Sequence, residues 1–278
     1  MMLYSELHSL VYRLINKFNR TKKRKSWANI PVQISTTFFD NNSQLFDPHL
    51  IGTKTLAKQM HSLETLQEVL AILEKITPND DVDFVKKFYK KGIGEFGDNW
   101  VYADINSALI AISKNLDIQN YMEIGVRRGR SMTMLASNSP MANLYGFDMW
   151  IENYCGSENP GPEFVKNELQ KVNFQGNISF IDGDSKKTVP KFFKENPDIY
   201  FDVITVDGDH SIGGAQKDLN NVIKRLKIGG ILVFDDISSQ EHPYLAKVWE
   251  KEIRDRSNFY TYEFGDVGLG VAIAIRKY

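Results

Sequence analysis

Apolar and polar positions follow two different periods along this chain of 278 residues. From about residue 101 onward, short apolar runs alternate with longer segments in which apolar residues recur at every third or fourth position. The short runs predict buried strands and the longer segments predict amphipathic helices. A regular alternation of strands and helices is typical of a parallel sheet that is covered by helices on both faces.

The same pattern predicts where the elements of this α/β fold lie. Strands are predicted over 121–125, 144–149, 178–181, 203–206, 231–234, 259–264 and 268–275, and helices over 104–116, 131–137, 163–172, 186–196 and 242–255, with a further helix between the fourth and fifth strands. The last two strands are joined only by a tight turn, so they must be antiparallel. The predicted sheet therefore has five parallel strands and a C-terminal antiparallel hairpin.

Residues 1–100 are predicted to be a mostly helical extension that precedes the main domain of residues 101–278. An apolar stripe predicts a helix over 53–76, and a shorter helix is expected over 82–91. Gly92, Gly94 and Gly97 then suggest a flexible join. The helical character of this region makes a homo-oligomer our expectation.

The first 25 residues combine an apolar stripe that includes Leu3, Leu7 and Leu10 with a cluster of Lys and Arg. One interpretation is an amphipathic helix that touches a membrane surface. The other is a helix that docks on the body of the protein or on another subunit, followed by a solvated basic linker. The second is favoured because the basic residues follow the stripe instead of lying opposite to it.

The composition narrows the class of protein. With 42% hydrophobic residues, 25% charged residues and a net charge of −1, the chain has the composition of an ordinary globular protein and no charge that favours nucleic acid. Cys155 is the single cysteine, which excludes an internal disulfide and a cysteine zinc site. No membrane-spanning run and no signal peptide is recognisable, so a cytoplasmic location is expected.

Acidic residues follow the fourth and fifth predicted strands. Asp207 and Asp209 come after one strand, and Asp235 and Asp236 come after the other. The carboxyl ends of parallel strands meet at one edge of a sheet, where open α/β sheets bind ligands. Crowded carboxylates repel each other unless protons or a cation neutralise them, which favours a divalent-metal site. The alternative is that these residues only cap turns and helices.

Further candidate residues lie at the ends of the first two strands. Glu123, Gly125, Gly129 and Ser131 form a turn that allows close approach of a ligand, although a purely structural strand-to-helix turn is the alternative. Ser131 is also a candidate helix N-cap. Asp148 ends the second strand, where an acid can accept the hydroxyls of a ribose.

The segments EIGVRRGRS, YGFD, FIDGDS, ITVDGDHS and GGILVFDDI resemble the class I S-adenosylmethionine-dependent methyltransferases. More narrowly, they are similar to metal-dependent O-methyltransferases of sugars and other small molecules, the macrocin O-methyltransferase type. The resemblance covers about residues 100–278 and implies a Rossmann-like sheet. In this group, regions like residues 1–100 form lids or oligomer contacts.

The resemblance implies roles for individual residues. The metal, which we expect to be Mg²⁺ or another divalent cation, would be held by Asp207, Asp235 and Asp236. Residues expected to lie around the cofactor S-adenosylmethionine are Glu123, Gly125, Gly129, Ser131, Asp148, Asp182, Gly183, Asp184, Ser185 and Asp207.

The acceptor implied by this resemblance is a hydroxyl group of a sugar or another small metabolite. Its proton would be taken by Asp209 or by His210, and the resemblance slightly favours Asp209, whereas His210 has the better intrinsic pKa. Two alternatives stay open: a metal-independent methyltransferase that acts on another kind of acceptor, and a scaffold of the same fold without catalysis.

Overall fold

The computed structural model describes residues 51–153 and 158–277. The predictions made for residues 1–25 and for the irregular segment 26–50 lie outside the described residues. Among the described helices, none is long and apolar enough to cross a lipid bilayer.

Helices and strands alternate from residue 105 onward, as the apolar pattern predicts. The helices are α1 (Thr53–Met60), α2 (Leu63–Lys75), α3 (Asp80–Phe96), α4 (Ile105–Asn115), α5 (Arg130–Asn138), α6 (Pro162–Gln170), α7 (Ser185–Glu195), α8 (Ile212–Val222) and α9 (Leu245–Trp249). The strands are β1 (Asn120–Ile124), β2 (Asn143–Asp148), β3 (Ile178–Asp182), β4 (Phe201–Val206), β5 (Leu226–Asp235), β6 (Phe259–Phe264) and β7 (Val271–Arg276).

The strands form one sheet in the order β3-β2-β1-β4-β5-β7-β6. The first five are parallel to one another, and β7 is antiparallel to both β5 and β6. The predicted five parallel strands and terminal antiparallel hairpin are therefore confirmed. The strand order reverses at β1, and ligands of open α/β sheets bind beside such a reversal, at the carboxyl ends of the strands.

Two hydrophobic cores cover the two faces of the sheet. On one face, side chains of α1 to α6 pack against strand residues such as Tyr121 and Val203. On the other face, side chains of α7, α8 and α9 pack against residues such as Ile204 and Phe234. Alternate residues of β4 and β5 thus face opposite cores, which is the period of a strand buried on both sides.

The N-terminal helices differ from the prediction in two places. The predicted helix 53–76 is two helices, because the side chain of Ser62 accepts a hydrogen bond from Thr65 N and caps α2. Helix α3 continues through Gly92 and Gly94 to Phe96, so the flexible join predicted there is wrong. A Cβ atom at Gly92 would lie 2.1 Å from the Trp100 ring, so this glycine serves packing.

The fifth parallel strand also begins earlier than the pattern predicts. Gly229 and Gly230 precede the predicted strand 231–234, but both lie inside β5. The backbone of Gly229 has a φ of +78°, and the pairing register with β4 shifts between Phe201 and Val203. The glycine pair therefore accommodates an irregularity within the strand, which is a common use of glycine in sheets.

Candidate functional site

A cavity with a volume of about 1000 Å³ opens at the carboxyl ends of the parallel strands. Its wall is built from the turns that follow β1 to β5, together with residues 238–242 and 268–269. The candidate residues that line it are Gly125, Asp148, Gly183, Asp184, Ser185, Asp207, Asp209, His210 and Asp236. Glu123, Gly129, Ser131, Asp182 and Asp235 are not among its lining residues.

The turn after β1 is pressed against the turn after β4. Gly125 has a φ of +88°, and its N–H donates a hydrogen bond of 2.9 Å to Phe147 O. Asp207 N donates a bond of the same length to Ile124 O. A Cβ atom at Gly125 would lie only 1.8 Å from Asp207 O, so only glycine fits at this position.

We expect the substitution Gly125→Ala to lower the free energy of unfolding by at least about 2 kcal/mol, through backbone strain and the clash with Asp207. Denaturant titration measures this loss. Gly94→Ala is the control, because a Cβ atom at Gly94 meets nothing within 4 Å inside α3. That variant should gain up to about 1 kcal/mol. Equal effects of the two substitutions would contradict the proposed close approach at Gly125.

Glu123 lies behind the cavity wall and is fully buried. Its carboxylate accepts a hydrogen bond of 2.7 Å from Tyr121 Oη and another from Ser131 Oγ. Burial raises the pKa of Glu123 to about 8, although these two hydrogen bonds oppose the shift. Glu123 and Ser131 therefore form a buried polar support beneath the turn. Gly129, with a φ of +71°, packs against Val165.

The raised pKa of Glu123 predicts how stability depends on pH. Between pH 4.5 and 8 the unfolded chain has lost this proton whereas the folded protein keeps it, so the wild type loses stability as the pH rises. We expect Glu123→Gln to gain stability relative to wild type across this range, by up to about 1.4 kcal/mol per pH unit. Chemical unfolding at several pH values measures the difference, and a constant difference would refute the assignment.

Glu168→Gln is the matched control for this measurement. The Glu168 carboxylate is buried but accepts hydrogen bonds from Thr77 N and Lys171 Nζ at 2.7 and 2.8 Å. Burial alone would raise its pKa, but these donors outweigh burial and the net shift is downward. Glu168→Gln should therefore cost stability at neutral pH, and the cost should fade as the pH falls below the ordinary glutamate range.

Asp148, at the end of β2, organises the neighbouring turns. One carboxylate oxygen accepts from Arg127 N at 2.8 Å, and the other accepts from Trp150 N at 2.6 Å and from Asn159 Nδ2 at 3.1 Å. The indole of Trp150 donates to Asp182 at 2.7 Å, so Asp182 supports this aromatic ring. The carboxylate of Asp148 thus lies at the cavity wall in an orientation that main-chain donors fix.

The turn after β3 leads directly into helix α7. Gly183 has a φ of +121° and its N–H donates to Asp148 O at 2.8 Å. Asp184 caps α7 by accepting a hydrogen bond of 3.0 Å from Lys186 N. Gly183, Asp184 and Ser185 therefore form a hydrogen-bonded part of the wall, next to Asp148.

Two of the three predicted metal ligands converge with a histidine. One side-chain donor atom from each of Asp207, His210 and Asp236 lies within 4.8 Å of the other two. His210 Nε2 is 3.3 Å from Asp207 Oδ1 and 3.7 Å from Asp236 Oδ2. Burial and then the charge of Asp207 raise the pKa of Asp236 to about 6. The hydrogen bond to Asp207 raises the pKa of His210 above its usual value, against burial.

Asp235, the third predicted ligand, lies outside that group of three. Burial, followed by the charges of Asp207 and Asp236, raises its pKa well above the ordinary range. The side chains of Val233 and Phe234 alternate between the two cores, which places Asp235 on the face that carries α4. Asp236 follows with a φ of +63°. The charges of Asp207 and Asp236 therefore act on the Asp235 carboxylate, although Asp235 is not among the residues that line the cavity.

Asp209 is held by two donors. Its carboxylate accepts a hydrogen bond of 2.7 Å from Lys186 Nζ and another of 2.9 Å from Ser211 N. Partial burial alone would raise its pKa, but these two hydrogen bonds lower the pKa below its usual value. A Cβ atom at Gly214 would lie 2.0 Å from Asp209 Cγ, so the side chain rests on the first turn of α8. Asp209 is an ion-pair partner of Lys186 and a hydrogen-bond acceptor just before α8 in this structure.

Several residues at the cavity were not predicted from the sequence. His242 lines it, with its ring centroid 5.0 Å from that of His210 and its Nδ1 atom 3.0 Å from Tyr244 Oη. Lys186 pairs with Asp209 from another turn. No spacing in the sequence links His242 to His210 or Lys186 to Asp209, because these two contacts join segments that meet only in the folded protein.

The chain is similar to known proteins both in sequence and in structure. Residues 122–237 match a family model described as a methyltransferase domain. This segment is therefore similar to that methyltransferase-domain family. The match begins inside β1 and ends just after Asp236, so it spans all five parallel strands. The methyltransferase domain therefore contains every turn that the predicted cofactor and metal residues occupy.

Two kinds of relative are similar to this chain. An uncharacterised protein of Acanthamoeba polyphaga mimivirus is 27% identical over 156 residues, which are 55% of this chain and 68% of that protein. The O-methyltransferase TomG of Streptomyces achromogenes is 16% identical, with a TM-score of 0.51 over 73% of this chain and 92% of its own. This structural likeness shows the class I methyltransferase fold.

A further solved structure is the TDP-rhamnose 3'-O-methyltransferase CalS11 of calicheamicin biosynthesis. It is 18% identical, covers 77% of this chain and 93% of its own, and has a TM-score of 0.48.

Proposed function

We propose that the protein transfers a methyl group from S-adenosylmethionine to a hydroxyl of a sugar or another small polar metabolite, with the help of a divalent cation. The observation that carries this proposal is the convergence of Asp207, His210 and Asp236 within 4.8 Å. The three residues line the same cavity as the turns after β1, β2 and β3. A methyl donor and an acceptor hydroxyl can therefore meet within one space.

The cofactor half of the cavity is assigned to the turns after β1, β2 and β3. Gly125 and Asp148 both line the cavity, and Asp148 offers carboxylate oxygens at the wall, as a ribose would require. TomG, which shares the fold, is described in complex with S-adenosylmethionine. S-adenosylmethionine supplies an electrophilic methyl group on a sulfonium, so the protein has to provide orientation and a proton acceptor.

Asp207 and Asp236 fit a divalent cation by the chemistry of their donor atoms. Burial and mutual repulsion raise the pKa of Asp236 to about 6, and Asp235 adjoins the pair, so the carboxylates are crowded as they are at cation sites. Carboxylate oxygens suit Mg²⁺ and Mn²⁺. A bound divalent cation supplies Lewis-acid chemistry that lowers the pKa of an acceptor hydroxyl.

His210 is the better candidate for the general base. It lines the cavity, and its Nε2 atom lies beside Asp207 and Asp236, which stabilise the imidazolium that forms when the ring takes a proton. Asp209 is paired with Lys186 and its pKa is lowered, so it is a weaker proton acceptor. We therefore assign the base to His210 and a structural role to Asp209.

Methyl transfer from labelled S-adenosylmethionine to a panel of sugars and diols tests the proposed function. Product should form with Mg²⁺ or Mn²⁺, disappear after treatment with EDTA, and return when the metal is restored. Turnover that EDTA does not affect would remove the metal from the proposal and favour a metal-independent methyltransferase. Cofactor binding without any methylated product, across oxygen, nitrogen and carbon acceptors, would favour a non-catalytic scaffold.

A further inference from the structure

A buried carboxylate lies beneath the turn that carries His210. Asp218, on α8, is fully buried, and neither of its oxygens has a hydrogen-bond partner of normal geometry among the described residues. A Cβ atom at Gly208 would lie 3.3 Å from Asp218 Oδ2, so the carboxylate is next to that turn. A buried carboxylate without partners destabilises a protein, so its position requires an explanation.

Two donors lie near Asp218, one from each of two cavity walls. Burial raises the pKa of Asp218 to about 6, and the Ser185 hydroxyl and the Asp209 N–H oppose this shift without completing hydrogen bonds. Ser185 and Asp209 both line the cavity, in the turns after β3 and β4. Asp218 is thus placed behind the junction of these two walls.

An ion pair already links the two cavity walls on the side that faces solvent. Lys186 Nζ, from the turn after β3, lies 2.7 Å from Asp209 Oδ2, and both side chains are partly exposed. On the inner side, the Asp218 carboxylate lies near the same two turns but has no hydrogen bond of normal geometry to either. A small movement of the two turns toward each other would give this carboxylate two donors.

We propose that Asp218 is a positioning residue that couples binding of S-adenosylmethionine to the placement of the turn that carries His210. When the two walls close on the cofactor, the carboxylate accepts hydrogen bonds from Ser185 Oγ and Asp209 N. This inference rests on the proposed function, since the bound cofactor is what draws the walls together. Asp218 thus destabilises the empty protein and gains its partners in the complex, which favours the closed arrangement.

The substitution Asp218→Asn tests this inference through two readouts with opposite signs. The melting temperature of the empty protein should rise, because a buried charge without partners is removed. The affinity for S-adenosylmethionine, measured by calorimetry, should fall about tenfold, within the usual range for coupling between sites. In turnover, KM for the cofactor should rise more than kcat falls. A purely structural residue would lower the melting temperature instead.

Asn221→Ala is the matched control on the same helix. Asn221 is partly buried, its Nδ2 atom also lacks a partner within residues 51–153 and 158–277, and it is not among the residues that line the cavity. This substitution should leave the affinity for S-adenosylmethionine unchanged. A double-mutant cycle with Ser185→Ala adds a second test: the combined loss of affinity should be smaller than the product of the two single losses, because both substitutions remove the same hydrogen bond.

Two outcomes would overturn the role of Asp218. One is an Asp218→Asn protein that is less stable or unfolded when empty, since the carboxylate would then be stabilising the empty state. The other is unchanged affinity for S-adenosylmethionine in a folded variant. Failure of the proposed function looks different, because the wild-type protein itself would then bind no S-adenosylmethionine.

Discussion

The Asp236→Asn variant is expected to lose methyl transfer by at least about 100-fold while it keeps its fold. Asp236 is one of the two carboxylates that we assign to the cation, and its pKa is raised to about 6 by burial and by Asp207. Removing its charge relieves this repulsion, so the empty variant should be at least as stable as wild type. The two measurements are initial rates at saturating cofactor and the affinity for Mn²⁺ by calorimetry.

Glu195→Gln is the control for loss of a carboxylate charge. Glu195 is exposed at the end of α7 and lies 3.9 Å from Lys191 Nζ in a long ion pair, so its removal should change neither rate nor metal affinity. Asp236→Asn with wild-type activity and wild-type affinity for Mn²⁺ would rule out a cation at this position. A loss of activity with unchanged metal affinity would move the role of Asp236 from the cation to the acceptor.

The second large effect is expected at His210. Replacement by Gln should reduce kcat by about 100-fold or more, the usual contribution of a general base, and should leave the affinity for S-adenosylmethionine nearly unchanged. Asp209→Asn should cost less than about tenfold, because its carboxylate is occupied by Lys186 and by the start of α8. Steady-state kinetics of the two variants, measured side by side, distinguish the two candidate bases.

A reversed order of these losses would contradict the assignment of the base. If Asp209→Asn were the more damaging substitution at saturating cofactor, Asp209 would be the proton acceptor and its ion pair with Lys186 would have to open during turnover. Partial recovery of His210→Ala by added imidazole would support the assignment further, since free imidazole can occupy the space of the ring.

The fold was largely predictable because its signals are local. Short apolar runs, helical stripes and the tight turn before β7 determine a parallel sheet with a terminal hairpin, and the structure confirms that arrangement. The errors arise where a tertiary contact outweighs a local preference. Gly92 suggested flexibility, yet it lies inside α3 because the Trp100 ring packs against its main chain.

The candidate site was predictable in position but not in its contacts. Acidic residues at the ends of parallel strands had to meet at one edge, and Asp207 and Asp236 do lie together there. The backbone conformation of Asp236, with a φ of +63°, could not be inferred from the residue type. The pairing of Lys186 with Asp209 joins turns from different strands, and it changes which residue is free to accept a proton.

The role of residues 1–100 stays partly a prediction. Within the described residues, Leu56 of α1, Leu66 of α2 and Val82 of α3 belong to the same core as the sheet. Asp81, in the first turn of α3, lines the cavity. A role of this region as a lid or as an oligomer contact is therefore compatible with where these helices lie, and analytical ultracentrifugation of the whole chain would measure the oligomeric state.

The most direct test of the central claim is a calorimetric titration of the purified, dialysed protein with S-adenosylmethionine, with and without Mg²⁺. We predict saturable binding to one site, and weaker binding in an Asp148→Ala variant, because Asp148 offers carboxylate oxygens at the cavity wall. Addition of a diol acceptor should then produce heat only when Mg²⁺ is present. If the protein bound no S-adenosylmethionine under either condition, the cavity would not be a methyltransferase active site.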